Sequence, residues 1–329
     1  MKLKRNLNGL YKGGVILKKP LIILTGPTAV GKTKLSIELA KKINGEIISA
    51  DSMQVYKEMN IGTAKITKEE MQGIKHYLID LLPPGEEFNI VKFQTLAKEA
   101  LNTIYSKNKI PIVVGGTGFY IQSLVYDIDF KENEIENNLR KNLEEEGKRM
   151  GAHALHEKLK EIDPESALNI HENNIKKVIR AIEYYEQTGE KISKHNQIER
   201  QKESPYNFAY FVLNQERSVL YERINGRIDQ MLEDGLINEV ENLKKKGYDK
   251  SLTSMQGLGY KEIFEYLENR TTLEEALYIL KRDTRHFAKR QLTWFQREKE
   301  VIWLPKEKYS SEDAILEEIL CQLKEKLIL

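Results

Sequence analysis

Residues 21–33 decide the fold of this chain, and they read Leu21-Ile22-Ile23-Leu24-Thr25-Gly26-Pro27-Thr28-Ala29-Val30-Gly31-Lys32-Thr33. Four apolar residues open the stretch and predict a short buried strand. Gly26, four intervening residues and then Gly31-Lys32-Thr33 match the phosphate-loop pattern G-x-x-x-x-G-K-T. Apolar residues at helical spacing follow the loop and predict a helix there; they are Leu35, Leu39 and Ile43.

The chemistry of this loop suits an anion. Its glycines let backbone N–H groups face one phosphate, Lys32 adds a positive charge, and Thr33 offers a hydroxyl to Mg²⁺. The positive end of the following helix dipole points at the same place. A chance match in a glycine-containing turn is the alternative, but the strand before and the helix after favour a phosphate loop. The loop alone leaves open whether the ligand is a nucleotide.

Composition bounds the class of protein. The 329 residues are 40% hydrophobic and 31% charged, with a net charge of only +2, so a globular protein with a real core is expected and any nucleic-acid surface must be local. The single cysteine, Cys321, cannot form an internal disulfide, and His153 with His156 lacks the further ligands of a metal site. No apolar run reaches membrane-spanning length, and the basic segment 1–19 lacks a signal-peptide core. We expect a loose arm there, a cytoplasmic location and no membrane partner.

The order of predicted elements indicates an α/β fold. Further strands are predicted at 46–49, 76–80, 110–114, 208–213 and 301–304, separated by helical segments. Such alternation predicts a parallel sheet flanked by helices. Residues 126–202 instead show helical periodicity throughout, with acidic residues slightly outnumbering basic ones. We therefore predict a phosphate-loop core in two parts, 1–125 and 203–329, with an all-helical insertion at 126–202.

Three features follow strands directly and should share one cleft, since ligands of parallel sheets bind outside the carboxyl ends of the strands. They are the phosphate loop, Asp51 and Thr117. Asp51 can hold Mg²⁺, act as a general base or simply cap a turn. Asp80, at the end of a strand that resembles a Walker-B segment, competes for the metal role. Thr117 can contact a ligand or merely shape its Gly-rich turn.

The densest basic stretch with aromatic residues is 281–299. The predicted helix over 273–299 has an apolar stripe, and several cations lie away from that stripe; they are Arg282, Arg285, Lys289 and Arg297, with His286. A charged helix face is usually only solvated, but a face of one sign favours a polyanion.

Together these motifs resemble one family. The chain is similar to the bacterial tRNA dimethylallyltransferases, also called tRNA isopentenyltransferases, in motifs that span nearly its whole length. The matching segments are Gly26–Thr33, Ser49–Tyr56, Met59–Lys65, Val114–Tyr120, Gln256–Tyr260 and Thr284–Phe295. The Asp-Ser-x-Gln segment at 51–54 and the Arg-Gln-x-Thr-Trp segment at 290–294 are much more specific than the phosphate loop.

The resemblance implies prenyl transfer from dimethylallyl diphosphate, held with Mg²⁺, to the exocyclic N6 amine of the adenosine 3′ of a tRNA anticodon. It makes Asp51 the general base and Thr117 a contact to the target nucleotide. The insertion corresponds to the domain that grips the anticodon stem-loop, where Lys177 stands in place of a frequent arginine, so its charge remains without the planar fork.

The candidate residues fall into four sets. The catalytic set is Asp51, Thr117 and Lys32. The diphosphate set is Gly26, Pro27, Thr28, Ala29, Val30, Gly31, Lys32 and Thr33, with Arg223 and Arg227; the metal ligand is Thr33. The tRNA set is Asp51, Ser52, Met53, Gln54, Thr117, Lys176, Lys177, Arg180, Arg282, Arg285 and Lys289.

Three other functions remain open from the sequence. A small-molecule kinase would share the loop and sheet but would transfer phosphate from ATP. A close variant would prenylate free adenine nucleotides. A nucleotide-gated RNA-binding protein without catalysis would have no use for Asp51. The prediction is a monomeric tRNA prenyltransferase; the choice of tRNA and any later change to the prenyl group are left open.

Overall fold

The computed structural model describes residues 11–12, 15–16, 18–130 and 137–329. The chain divides into two compact units, one made of residues 1–127 with 204–329 and the other of residues 128–203. Most of the predicted arm at 1–19 lies outside the described residues, which include only two short paired strands before the sheet.

The first unit is a six-stranded sheet covered by helices. Its strands run parallel in the order β5-β4-β6-β3-β7-β8, which places β3, the strand before the phosphate loop, inside the sheet. Buried apolar runs explain the strands, since a sheet covered on both faces needs no polar side. The six strands of this sheet are β3 (Lys19–Thr25), β4 (Gly45–Ala50), β5 (His76–Tyr77), β6 (Ile110–Gly115), β7 (Tyr206–Asn214) and β8 (Val301–Pro305). Before them, β1 (Tyr11–Lys12) and β2 (Val15–Ile16) pair antiparallel as a separate two-stranded sheet.

Eight helices belong to the described residues of this unit. They are α1 (Lys32–Ile43), α2 (Ile90–Ser106), α3 (Gly118–Val125), α9 (Arg217–Glu233), α10 (Leu236–Lys245), α11 (Tyr260–Leu267), α12 (Leu273–Phe295) and α13 (Glu312–Glu325). Their apolar faces join the strands in one continuous hydrophobic core, in which β3 residues 21–24 are fully buried. The core therefore fixes the strand ends from which the loops emerge.

The second unit is helical throughout its described residues and has its own core. Its helices are α4 (Asn137–Met150), α5 (Ala152–Ile162), α6 (Pro164–Asn169), α7 (Ile175–Thr188) and α8 (Ile192–Gln201). Leu155, Leu159, Val178 and Ile182 are buried together at its centre.

The α/β class and the parallel sheet are confirmed, and two elements end earlier than predicted. We expected a strand over 76–80, but β5 ends at Tyr77. Leu78 and Asp80 both adopt positive φ, 62° and 53°, so the chain turns away from the sheet after two residues. Asp80 therefore does not lie at the end of a Walker-B-like strand. The long helix near the C-terminus is also shorter than expected, because α12 ends at Phe295 rather than Lys299.

Candidate functional site

The register of three adjacent strands brings the predicted site residues together. Thr25 at the end of β3 pairs with Gly115 of β6, and Gly115 pairs with Ala50 of β4. The Thr25 hydroxyl also donates to the Gly115 carbonyl oxygen at 2.6 Å. Because the phosphate loop, Thr117 and Asp51 each follow one of these three residues, they emerge side by side at one edge of the sheet.

The phosphate loop depends on its two glycines. Gly26 has φ 147°, and a Cβ there would lie 2.4 Å from the Leu213 carbonyl oxygen of β7, so no side chain fits. Gly31 has φ 100° and lies directly before α1. The helix N-terminus thus opens onto the loop, as its anion-binding role requires.

Lys32 lies within the loop that it is predicted to complete. Its ammonium donates to the carbonyl oxygens of Gly26 and Pro27 at 2.9 and 2.8 Å. Burial lowers the pKa of Lys32 to about 7; the charge of Arg227 lowers it too, and that of Asp51 opposes them. A bound anion would raise the pKa of Lys32 again, because its negative charge favours the protonated lysine.

Further cations surround the loop. Arg223 Nε donates to the Ala29 carbonyl oxygen at 2.8 Å, which ties α9 to the loop. Burial and the charge of Arg223 lower the pKa of Arg227. Lys306, after β8, lies with its amino nitrogen 3.3 Å from where a Gly31 Cβ would be, and it pairs with Glu312 of α13 at 3.2 Å. Sequence reasoning missed Lys306 because it lies outside any motif.

Asp51 is half-buried and shapes its own turn. Its Oδ1 accepts from the backbone N–H groups of Met53 at 2.8 Å and Gln54 at 3.3 Å. Both hydrogen bonds use the same oxygen, and neither bond involves Oδ2. Asp51 can therefore cap its turn through Oδ1 and still act as a base or ligand through Oδ2.

The rest of the predicted Asp-Ser-x-Gln segment is partly buried against its own chain. The Gln54 amide nitrogen donates to the carbonyl oxygens of Thr63 and Ala64, each at 3.3 Å. Ser52 and Met53 are half-exposed beside it. Gln54 therefore holds the loop at 51–65 closed, and Ser52 and Met53 offer its accessible surface.

Two carboxylates outside the predicted set also hold that loop. Glu239 of α10 accepts from the backbone N–H groups of Asn60, Ile61 and Gly62 at 2.8–3.1 Å and from the Tyr260 hydroxyl at 2.6 Å. Asp80 pairs with the buried Lys65 ammonium at 2.5 Å. This ion pair gives Asp80 a structural task, so the geometry favours Asp51 over Asp80 as the acid beside the phosphate loop.

Thr117 lies between two residues that touch helix α12. Its N–H donates to the Ala50 carbonyl oxygen at 3.2 Å, next to Asp51. A Cβ on Gly116 would lie 2.1 Å from the Gln291 amide nitrogen, and one on Gly118 would lie 2.2 Å from Trp294 Cδ1. The glycines on both sides of Thr117 thus allow α12 to pack directly on the turn.

The basic residues of α12 divide into paired and accessible ones. Lys281 pairs with Asp229, and Arg282 pairs with Asp283 at 2.8 Å. Arg285 donates to the Asn225 amide oxygen at 2.9 Å and lies over the Tyr221 ring. A separate groove on the helix surface is lined by His286, Lys289, Arg290, Thr293, Trp294 and Arg297.

In the helical unit, three predicted cations occupy the first two turns of α7. Lys176, Lys177 and Arg180 are exposed, opposite the buried Val178 and Ile182. Within the described residues none of the three makes a salt bridge, and positive charge is unfavourable near a helix N-terminus. A bound anion would pair with these cations and offset the unfavourable positive charge at this end of the helix.

Neither a side-chain metal cluster nor a membrane-spanning helix is found in the part of the chain that the structure describes. No three His, Cys, Asp or Glu side chains come together as a metal-binding cluster in residues 18–130 and 137–329. Over the same ranges, no helix has the length and apolarity needed to cross a bilayer.

Comparison with known proteins identifies relatives over nearly the full length. The profile of the family described as IPP transferase matches residues 54–298. The tRNA dimethylallyltransferase of Lachnoclostridium phytofermentans is 64% identical, covering 94% of this chain and 99% of the relative. The crystal structure of the tRNA isopentenylpyrophosphate transferase of Bacillus halodurans is 44% identical, with a TM-score of 0.69, covering 94% of this chain and 98% of that one. A eukaryotic dimethylallyltransferase crystallised while acting on tRNA is 31% identical, with a TM-score of 0.76, covering 87% and 73%.

Proposed function

The chain belongs to the IPP transferase family of tRNA dimethylallyltransferases, and we propose that its phosphate loop holds dimethylallyl diphosphate as the prenyl donor. The acceptor is the exocyclic N6 amine of the adenosine 3′-adjacent to the anticodon of a tRNA. A new bond forms between this nitrogen and the allylic carbon, the carbon–oxygen bond of the donor breaks, and diphosphate leaves with the bonding electrons. The amine loses one proton.

The observation that carries the proposal is the register of β3, β6 and β4. It places an anion-binding loop, Thr117 and the half-buried carboxylate of Asp51 at neighbouring strand ends. Such a site can hold a diphosphate and a proton acceptor side by side. A kinase would also need the phosphate site. The adjacent carboxylate and the basic helix are better suited to an amine of a nucleic acid, because the carboxylate can take the proton and the helix can contact phosphates.

On the donor side, the loop and its cations act on the leaving diphosphate. Negative charge on the diphosphate grows as the carbon–oxygen bond breaks, so fixed donors around it stabilise the transition state most. The loop N–H groups, Lys32, Arg223 and Arg227 supply this positive charge. The ammonium of Lys32 would exchange its present carbonyl partners for phosphate oxygens.

On the acceptor side, Asp51 receives the proton. An adenine amine is a poor nucleophile, so a carboxylate that takes its proton lowers the barrier. Oδ1 keeps its bonds to Met53 and Gln54, and Oδ2 is the atom proposed to accept the proton. The target base must leave the stacked loop to reach this site, as in other enzymes that act on a base.

The oxygen ligands available beside the phosphate loop are suitable for Mg²⁺ as a cofactor. Thr33 is exposed at the start of α1, and Mg²⁺ commonly binds through few protein oxygens together with substrate phosphates and waters. The Thr33 hydroxyl would hold the ion together with diphosphate oxygens and waters. When bound, Mg²⁺ would neutralise charge on the leaving diphosphate.

Two surfaces are proposed to contact tRNA phosphates. One is the α12 groove with Lys289, and the other is the first two turns of α7 with Lys176, Lys177 and Arg180. Ser52 and Met53 are proposed contacts nearer the target nucleotide. Arg282 and Arg285 belong to the predicted tRNA set, but their contacts with Asp283 and Asn225 favour a structural task. We further propose that the enzyme is cytoplasmic, since its acceptor is tRNA, and that it acts as a monomer.

One incubation tests the function. Prenyl-deficient tRNA and dimethylallyl diphosphate are mixed with the protein and Mg²⁺ without ATP, and the digested nucleosides are weighed. We expect a dimethylallyl adenosine with the wild type and little with Lys32→Ala. Free adenosine monophosphate serves as the competing acceptor. A modified nucleoside that forms only when ATP is added, or equal use of the free nucleotide, would overturn the proposal.

A further inference from the structure

Gln291 of α12 is a buried amide that bridges two loops of the site. Its side chain is 6% exposed. Its Oε1 accepts from the backbone N–H of Thr28 at 2.9 Å, and its Nε2 donates to the Gly116 carbonyl oxygen at 3.0 Å. Thr28 lies in the phosphate loop, and Gly116 precedes Thr117. One side chain therefore ties the donor loop to the turn on the acceptor side.

The polarity of these contacts requires an amide. The Thr28 N–H can only donate and the Gly116 carbonyl can only accept, so the partner must present one acceptor and one donor. Gln does so with a single planar group, and its orientation is fixed by the two backbone partners. Leaving either backbone group buried without a partner would be unfavourable.

The packing around this bridge leaves little freedom. A Cβ at Gly116 would overlap the Gln291 amide, and one at Gly118 would overlap the Trp294 ring. Gln291 and Trp294 lie three residues apart and thus on one face of α12. They hold the turn on both sides of Thr117, so the helix, the turn and the phosphate loop are joined as one body.

The exposed side of the same helix lines the groove that includes Lys289 and Arg290. The helix proposed to meet tRNA phosphates is thus also the helix that links the donor loop to Thr117. Helix α12 would therefore contact the polyanion with one side and fix the spacing of the two loops with the other.

We propose that Gln291 is a positioning residue that sets the distance between the bound diphosphate and the target nucleotide. This inference rests on the proposed function. Gln291 acts through Thr28 and Gly116 rather than through contact with either substrate. Misplacement of reacting groups by about 1 Å can cost about 10²-fold in rate. The expected defect is therefore in the rate of transfer and not in tRNA affinity.

The first test is Gln291→Met, which keeps length and volume but removes both hydrogen bonds. Single-turnover transfer is measured with saturating tRNA and dimethylallyl diphosphate, together with tRNA affinity and melting temperature. We expect a rate loss of about 10- to 10²-fold with tRNA affinity within about twofold. Gln322→Met makes the same exchange on α13, where the amide donates to Glu318 of its own helix, and should keep the wild-type rate.

The second test, Gln291→Glu, separates positioning from a general loss of packing and remains informative where the methionine variant folds poorly. A protonated glutamic acid can accept from Thr28 and donate to Gly116, whereas the ionised form turns an oxygen toward the Gly116 carbonyl. The ratio of its rate to the wild-type rate should rise as pH falls, since the pH dependence of every group shared by the two enzymes cancels in the ratio.

The results distinguish failure of the positioning role from failure of the proposed function. A folded Gln291→Met enzyme at the wild-type rate, or a Gln291→Glu ratio that does not change with pH, overturns the positioning role. A wild-type enzyme that forms no prenylated nucleoside overturns the proposed function instead. Wild-type activity with unaffected Gln291 variants leaves the function intact and removes this inference alone.

Discussion

Replacing Asp51 with asparagine separates the chemistry of this residue from its structural task. Asn retains an oxygen at the Oδ1 position, so the hydrogen bonds from Met53 at 2.8 Å and Gln54 at 3.3 Å can persist. Only the charge and the ability to accept a proton disappear. A general base contributes about 10²- to 10⁴-fold, which corresponds to about 2.7–5.4 kcal/mol of barrier at 1.36 kcal/mol per tenfold. We expect Asp51→Asn to lose this much rate.

The assay is single-turnover transfer at saturating concentrations of both substrates, because turnover can be limited by product release. Binding of tRNA and melting temperature should stay near the wild type. Asp51→Ala is the matched comparison: it loses the same rate and also the two turn hydrogen bonds, at about 0.5–2 kcal/mol of stability by analogy with a helix cap. If the Asn variant transfers the prenyl group within threefold of the wild-type rate, Asp51 is not the base.

Three more predictions concern charge. Since the pKa of Lys32 is lowered to about 7 by burial, inorganic diphosphate should bind less tightly as pH rises above 7, by up to about tenfold per pH unit, in calorimetric titrations between pH 6 and 9; a flat affinity would show that its charge is not used. Lys289→Ala should reduce the slope of log tRNA affinity against log salt by about one unit, whereas Arg285→Ala should lower melting temperature and leave the slope unchanged; the reverse pattern would contradict the assignment. Burial raises the pKa of Glu298 to about 7, above the pKa of a glutamate in the unfolded chain, so the free energy of unfolding falls as pH rises from the unfolded pKa toward 7. Glu298→Gln should therefore raise the melting temperature at pH 8 but hardly at pH 5; an equal effect at both pH values would contradict this prediction.

The parts of the site that the sequence could predict are those set by local pattern and sheet topology. The phosphate loop has a fixed spacing, and Asp51 and Thr117 directly follow apolar strand segments. Parallel strands bring such positions to one edge, so their proximity follows once the sheet is inferred. No knowledge of side-chain packing is needed for that step.

The parts that it could not predict depend on contacts between distant segments. The run Tyr77-Leu78-Ile79 has the composition of a strand, yet the chain turns there and Asp80 pairs with Lys65, fifteen residues earlier. Glu239 finds its three N–H partners 177–179 residues away. Periodicity describes one element at a time and carries no information on such partners.

Gln291 is an intermediate case, because a signal was present. Ala288, Gln291 and Phe295 lie at helical spacing on the buried side of α12, so a polar residue interrupts an apolar face. Buried polar groups are nearly always hydrogen-bonded, and such an interruption therefore indicates a specific partner. The pattern could have marked Gln291 as a residue with a task, but not which two loops it joins.

The electrostatics of the phosphate loop connect donor binding to transfer. The Lys32 ammonium donates to the carbonyl oxygens of Gly26 and Pro27, and burial together with the nearby charge of Arg227 lowers the pKa of Lys32. A diphosphate entering this site reverses the balance, since its negative charge favours the protonated lysine. The charge on the diphosphate increases further when the allylic bond breaks. If the loop holds the donor as proposed, the same cations would interact more strongly with the transition state than with the bound donor, which is the condition for binding energy to increase rate.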